Sequence, residues 1–388
     1  YIFYSTNIIK IECTNQSFAI KLFQVLNDRG LELSPSDIIK SYIIGKYEQD
    51  DETGKQIFNN NWKNIEDLSK QYGFKIDDFV VFYEYYKLKS NPKRQVVDEL
   101  RDIIQRSDVY ELVAELNSFA ESLRKVYESK DACILALRYI PWKFYVMTAL
   151  TSAYQVNYSE KEKLFKEIRR FFYISLVAGC TLNQIKQTSF KLIESIVNGN
   201  SIEDIKEDLN RTIISRRMYA KVYDALDNDV YNEKFLKPLM LALEYNNRES
   251  TNTGFYVLDN TLHMDHILPR AYKQKDEWNY INDEDVLPLI NGLGNMALLQ
   301  DIKNEEALNC GFENKIRIYK GEDEKGNNKS GITSFEFTRK IIAYYEAGNT
   351  TWNYEQILER KEYLISKIEE MLDINREDVN LKITEEST

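Results

Sequence analysis

Between residues 55 and 246, apolar side chains recur at three- and four-residue spacing, the pattern of helices that bury one face. It predicts helices over 77–89, 96–105, 109–126, 161–177 and 234–244, among others. Turns are expected at Asn91-Pro92, Ile140-Pro141 and Asn198-Gly199-Asn200. No repeat of fixed length accompanies them, which favours an irregular helical bundle over a solenoid. Earlier in the chain, Ile8 to Cys13 reads as a short strand. Phe18, Leu22, Val25 and Leu26 share one face of a helix over about 17–26, which Gly30 can close in the left-handed conformation. Ser34, Pro35 and Asp37 then announce a helix start, as N-cap, first helical residue and reciprocal cap.

The texture changes at the polar run 246–254. Residues 255–262 read as extended, 269–294 as loop and 295–299 as a second strand. A helix is expected from about Asn304, a polar loop over 321–331, and helices over 334–347 and 354–372. The fold class expected is mainly α with a small α+β part. Three parts are expected: residues 1–50, a helical region 51–246, and a C-terminal module 247–388.

With 388 residues, 43% of them hydrophobic and 29% charged, the chain can bury a sizeable core in more than one domain. No apolar run is long enough to span a bilayer, and no basic start with an apolar run opens the sequence. A cytoplasmic protein with no membrane partner is the expectation. The chain starts at Tyr1 inside an apolar stretch, so an upstream segment is expected too. Cys13, Cys133, Cys180 and Cys310 are far apart, which argues against a zinc knuckle and a disulfide framework. The net charge of −11 argues against a chain built mainly to coat nucleic acid. It leaves room for a DNA enzyme, because phosphate binding needs only a local basic surface.

Both histidines of the chain, His263 and His266, fall in one four-residue window. Alone, the pair is as readily two surface or core histidines near a strand end. Its neighbours Asp265-His266-Ile267-Leu268-Pro269 add a hard oxygen donor to a titratable base. A divalent cation such as Mg²⁺ takes oxygen ligands, and a neutral imidazole can take a proton from water near pH 7. Metal-assisted phosphodiester hydrolysis needs both at one phosphate. Adjacent residues of a regular strand face opposite sides, so Asp265 and His266 share a site only if the strand ends or distorts there. Pro269 is consistent with such an ending.

These residues resemble the first block of HNH (ββα-metal, His-Me finger) nucleases. Gly294-Asn295-Met296-Ala297-Leu298-Leu299 and Asn304 resemble the second strand and the metal-binding helix. The closer likeness is to the DUF1524 branch, which Trp278, Phe312, Lys315, Trp352, Ile357 and Arg360 also fit. The resemblance implies His266 as general base, Asp265 and Asn304 as ligands of one Mg²⁺ or Mn²⁺, and Asn295 as a brace that orients the base. His263 is a further catalytic candidate with no secure counterpart. Asn295 is equally readable as a turn residue, and Asn304 as a helix cap.

Near the start, Phe23-Gln24-Val25-Leu26-Asn27-Asp28-Arg29-Gly30-Leu31 with Ser34, Asp37 and Lys40 resembles the later block of DUF262, the ParB-like domain of GmrSD-type (type IV) restriction enzymes. The nucleotide-linked block of that domain is absent from this sequence. Asn27, Arg29 and Gly30 could join an NTP pocket in a complete domain or simply form a helical junction. The two resemblances together imply an endonuclease acting on DNA, in particular modified phage DNA, with a homo-oligomer as a further expectation. The alternative is a catalytically inactive DNA-binding or NTP-sensing component of a defence system. Lys315 and Arg317 are candidate DNA contacts. Tyr83, Tyr85 and Tyr86 could stack on bases, although their helical spacing favours packing.

Overall fold

The computed structural model describes residues 33–129, 137, 140–247, 258, 260–323 and 325–376. The strand and helix expected before residue 27, and Asn27, Arg29 and Gly30 with them, lie outside the described residues. The chain divides into two compact units, Tyr1–Arg124 and Lys125–Thr388.

The first unit holds α1 (Pro35–Ile44), α2 (Glu52–Tyr72), α3 (Ile76–Leu88), α4 (Val96–Arg106) and most of α5 (Val109–Tyr127). The start of α1 follows from its sequence. The Ser34 hydroxyl accepts the Asp37 N–H at 3.2 Å, and the Asp37 carboxylate accepts the Ser34 N–H at 3.3 Å. Such caps contribute about 1 kcal/mol. Tyr83 and Tyr86 pack on Phe119, with ring centroids 5.5 and 5.1 Å apart. The tyrosine spacing on α3 thus serves the core.

The second unit opens with helices: α6 (Lys143–Gln155), α7 (Lys161–Val177), α8 (Leu182–Val197), α9 (Ile202–Ser215), α10 (Met218–Asp227) and α11 (Leu236–Asn246). Phe171, Phe172 and Tyr173 make α7 the centre of this bundle, all three fully buried. The strand β1 (Leu262–His266), the short α12 (Asp283–Val286) and the strand β2 (Met296–Gln300) follow. Then come α13 (Asp301–Ala307), α14 (Phe312–Lys320), α15 (Glu336–Glu346) and α16 (Tyr354–Leu372). Among the described residues no helix is long and apolar enough to cross a membrane.

The unit boundary falls well before the polar run at 246, and α11 explains why. The Lys237 ammonium donates to the Leu262 carbonyl at 2.8 Å. The fully buried Glu244 carboxylate accepts the N–H groups of Glu336 and Phe337 at 2.7 and 2.9 Å. A carboxylate that accepts the N–H groups left unpaired at a helix start complements the helix dipole. A helix that precedes the change in texture is therefore built into the packing of the strand pair and α15.

β1 and β2 pair antiparallel, from Leu262 opposite Gln300 to His266 opposite Met296. The sequence places the first extended segment earlier, at 255–262; of those residues, 255–257 and 259 lie outside the described part. β1 instead runs through the His263-Met264-Asp265-His266 window. Its polar residues disguise it, because all but His263 of the five β1 residues are buried. Buried polar groups in a strand persist only when they are partnered, and here they are. α13 follows β2 directly, with Gln300 at its N-cap. Asn304 lies inside this helix, so its reading as a cap does not hold.

A core of Trp278, Phe312, Ile316, Ile341, Trp352 and Ile357 supports the strand pair from behind. α16 grips the turn that leads into β2. One nitrogen of the Arg360 guanidinium donates to the carbonyls of Gly294 and Met296 at 2.9 and 2.7 Å. Gly294 must be glycine, because a Cβ there would stand 1.9 Å from the Ile357 carbonyl oxygen. This turn holds Asn295 in place.

Candidate active site

A cleft of about 940 Å³ opens in the second unit, at the end of β1. His263, Asp265 and His266 line it from β1, Asn304 from α13, and Tyr231, Lys234 and Arg270 from neighbouring loops. Asp265 and His266 share it although they are adjacent in sequence, because β1 ends at His266. Asn295 fixes that ending. Its Oδ1 accepts the Leu268 N–H at 2.8 Å and the Trp352 indole N–H at 3.3 Å. Its Nδ2 donates to the carbonyls of Leu268 and Ile290 at 2.9 and 2.8 Å. Four bonds exhaust the capacity of this fully buried amide.

Asn295 therefore braces the backbone behind the histidine, and its side chain bonds backbone and Trp352 but not the imidazole. The expected orienting contact belongs to Asn291, whose Oδ1 lies 3.0 Å from His266 Nε2. Asn291 in turn donates from Nδ2 to Asp229 Oδ2 at 2.9 Å. The Tyr231 ring covers the imidazole, with centroids 4.2 Å apart and planes tilted by 47°. His266 is 8% exposed. Loss of solvent pulls its pKa below the ordinary histidine value, helped by the positive charges of Arg270 and Lys315 and opposed by Asn291 and Asp265. A histidine so placed is neutral at pH 7, the form that accepts a proton. Its Nδ1 has no hydrogen-bond partner among the described residues.

His263 stands apart from this arrangement. Its Nε2 pairs with Asp301 Oδ1 at 2.9 Å, tying β1 to the start of α13 while the ring borders the cleft.

Asp265 is anchored from below. The Lys315 ammonium donates to both carboxylate oxygens and to the His266 carbonyl, each at 2.9 Å, and the Tyr319 hydroxyl donates to Oδ2 at 2.6 Å. Lys315 is fully buried, so the sequence reading of it as a DNA contact is corrected. All three of its N–H bonds are used inside the protein. Burial and the Asp265 charge push the Tyr319 phenol well above its usual pKa, so it stays a donor. Arg317, the other candidate DNA contact, lies elsewhere on α14. It pairs with Glu313 one turn back and lines a separate cleft with Glu306 and Asn314.

The donors suit one kind of ion. Among the described residues no three His, Cys, Asp or Glu side chains gather to hold a metal, which disfavours a closed thiolate or imidazole cage. The cleft offers a carboxylate and an amide. Asp265 accepts three hydrogen bonds out of about four lone-pair sites, leaving one on Oδ1. The Asn304 side-chain amide has no hydrogen-bond partner among the described residues. One carboxylate oxygen and one amide oxygen fit a hard cation that keeps several waters.

Sequence reading missed Asn291, Asp229, Tyr231, Arg270 and Tyr319. Only Tyr319 carried a readable signal, through its place with Phe312, Lys315 and Ile316 on one face of α14. Comparison with curated proteins and with solved structures yields no match. Residues 201–367, the stretch that carries every cleft residue named above, match the family model described as GmrSD restriction endonucleases, C-terminal domain.

Proposed function

We propose that the cleft is the catalytic centre of a metal-dependent DNA endonuclease, with β1, β2 and α13 forming a ββα-metal (HNH) module. The observation that carries this reading is that one cleft is lined by a buried imidazole and by two side chains with oxygen donors, Asp265 and Asn304. The match of residues 201–367 to a restriction endonuclease domain supports DNA as the substrate.

In this reading Asp265 and Asn304 hold one Mg²⁺ or Mn²⁺, which when bound would neutralise charge growing on the scissile phosphate. His266 Nδ1 takes a proton from a water whose oxygen bonds to phosphorus. The phosphorus–O3′ bond breaks, leaving a 5′-phosphate and, after protonation, a 3′-hydroxyl. Lys315 holds the Asp265 carboxylate in one orientation through both oxygens. Arg270, stacked over Tyr231 at 5.2 Å, and Lys234 place positive charge at the cleft, where flanking phosphates would lie. The substrate class proposed is modified DNA, as in type IV restriction.

The test is a nicking assay on supercoiled plasmid prepared with and without modified cytosine. Cutting is expected with Mg²⁺ or Mn²⁺, with the modified plasmid preferred, and none in EDTA. A protein that cuts neither plasmid with any divalent ion, or cuts equally well in EDTA, would overturn the reading.

A further inference from the structure

His266 has two ring nitrogens, and which one carries the proton decides whether the other can act on a water in the cleft. The neighbours of the imidazole fix the choice. Asn291 presents Oδ1 to Nε2 at 3.0 Å while its Nδ2 donates to Asp229 Oδ2 at 2.9 Å. A side-chain amide can turn over, exchanging its oxygen and nitrogen. Here a carboxylate forbids the exchange, since it only accepts and a turned amide would set oxygen against oxygen. With Nδ2 committed to Asp229, Oδ1 must face the histidine, and an oxygen acceptor there requires the proton on Nε2.

The carboxylate is itself well placed to enforce this. Asp229 Oδ1 accepts the Tyr231 N–H at 3.1 Å. The Val230 N–H donates to the Asn291 carbonyl at 3.0 Å, and Asp229 pairs with Gly292 in a short antiparallel bridge. Backbone and side chain thus join the segment after α10 to the turn before β2. Neither Asp229 nor Asn291 lines the cleft, whereas His266 does.

We infer that Asp229, acting through Asn291, locks His266 in the Nε2–H tautomer and so keeps Nδ1 as the basic nitrogen offered to the cleft. Both are positioning residues. The consequence for cleavage rests on the nuclease reading above, but the tautomer does not.

The test uses the full chain with ¹⁵N-labelled histidine, at a pH where both imidazoles are neutral. Long-range ¹H–¹⁵N correlations report which ring nitrogen bears the proton. The His266 signals are those that vanish in His266→Ala. The wild type should show only the Nε2–H form. Asp229→Asn keeps the shape but lets residue 229 donate as well as accept, so His266 should become a mixture or move to Nδ1–H. Plasmid cleavage by that variant should fall about 10- to 100-fold in kcat with KM little changed. Should Asp229→Asn fail to fold, the wild-type spectrum and Asn291→Ala carry the same test. An Nδ1–H form in the wild type, or an unchanged single tautomer in a folded Asp229→Asn, would overturn the inference. A tautomer that responds to Asp229 in a protein that cuts no DNA would uphold it while ending the nuclease reading.

Discussion

Replacing His266 by alanine is expected to slow DNA cleavage by about 10²- to 10⁴-fold, the usual contribution of a positioned general base, while the protein stays folded. The fold should survive because the imidazole makes a single side-chain hydrogen bond, to Asn291, and borders the cleft. Nicking rate and a thermal melt check the two halves together. The wild-type rate should also report this group through its pH dependence. Desolvation, seconded by Arg270 and Lys315, lowers the His266 pKa. The base is active when neutral, so a lowered pKa preserves activity on the acid side. Cleavage should hold through pH 7 and fall only below the ordinary histidine value of about 6.5. An acid limb centred above that value, or a His266→Ala protein that cuts at the wild-type rate, would contradict the assignment.

A second large effect is expected on stability. Lys315→Met removes a fully buried ammonium and leaves the Asp265 carboxylate, 5% exposed, with only the Tyr319 hydroxyl beside it. Breaking a buried ion pair from one side costs about 3–5 kcal/mol, because the remaining charge is desolvated without compensation. Pairing it with Asp265→Asn should recover much of the loss, since no bare charge then stays behind. Urea unfolding in EDTA measures both variants free of any bound cation. If Lys315→Met loses less than about 1 kcal/mol, the typical upper value for an exposed pair, the pair is not the anchor described here.

Much of the helical part was legible because a buried stripe repeats on itself. The helices over 161–177 and 354–372 run as their apolar spacing says, since Leu164, Ile168, Phe171 and Phe172 must all face inward together. β1 was misplaced for the opposite reason. Its interior residues include Asp265 and His266, whose partners Lys315 and Asn291 lie far away in sequence, and no local pattern marks a strand that buries charge. As a cation near the histidine pair, Lys315 suggests a DNA contact. Its place between Phe312 and Tyr319 on α14, three residues after one and four before the other, put it on the buried face. Of the residues that the sequence singles out, His263, Asp265, His266 and Asn304 line one cleft. The partners of the His266 imidazole carry no such signal, because Asp229 and Asn291 are 62 residues apart and meet only through the fold.

The claim on which the nuclease reading depends is that Asp265 and Asn304 together hold one hard cation beside His266. Titrating the purified chain with Mn²⁺, followed by the electron paramagnetic resonance signal of the free ion, tests it without any DNA. The wild type should take up a single Mn²⁺, and Asn304→Ala should bind it at least about tenfold more weakly, a loss of ~1.4 kcal/mol. Absence of Mn²⁺ uptake by the wild type, or equal affinity in the variant, would contradict it.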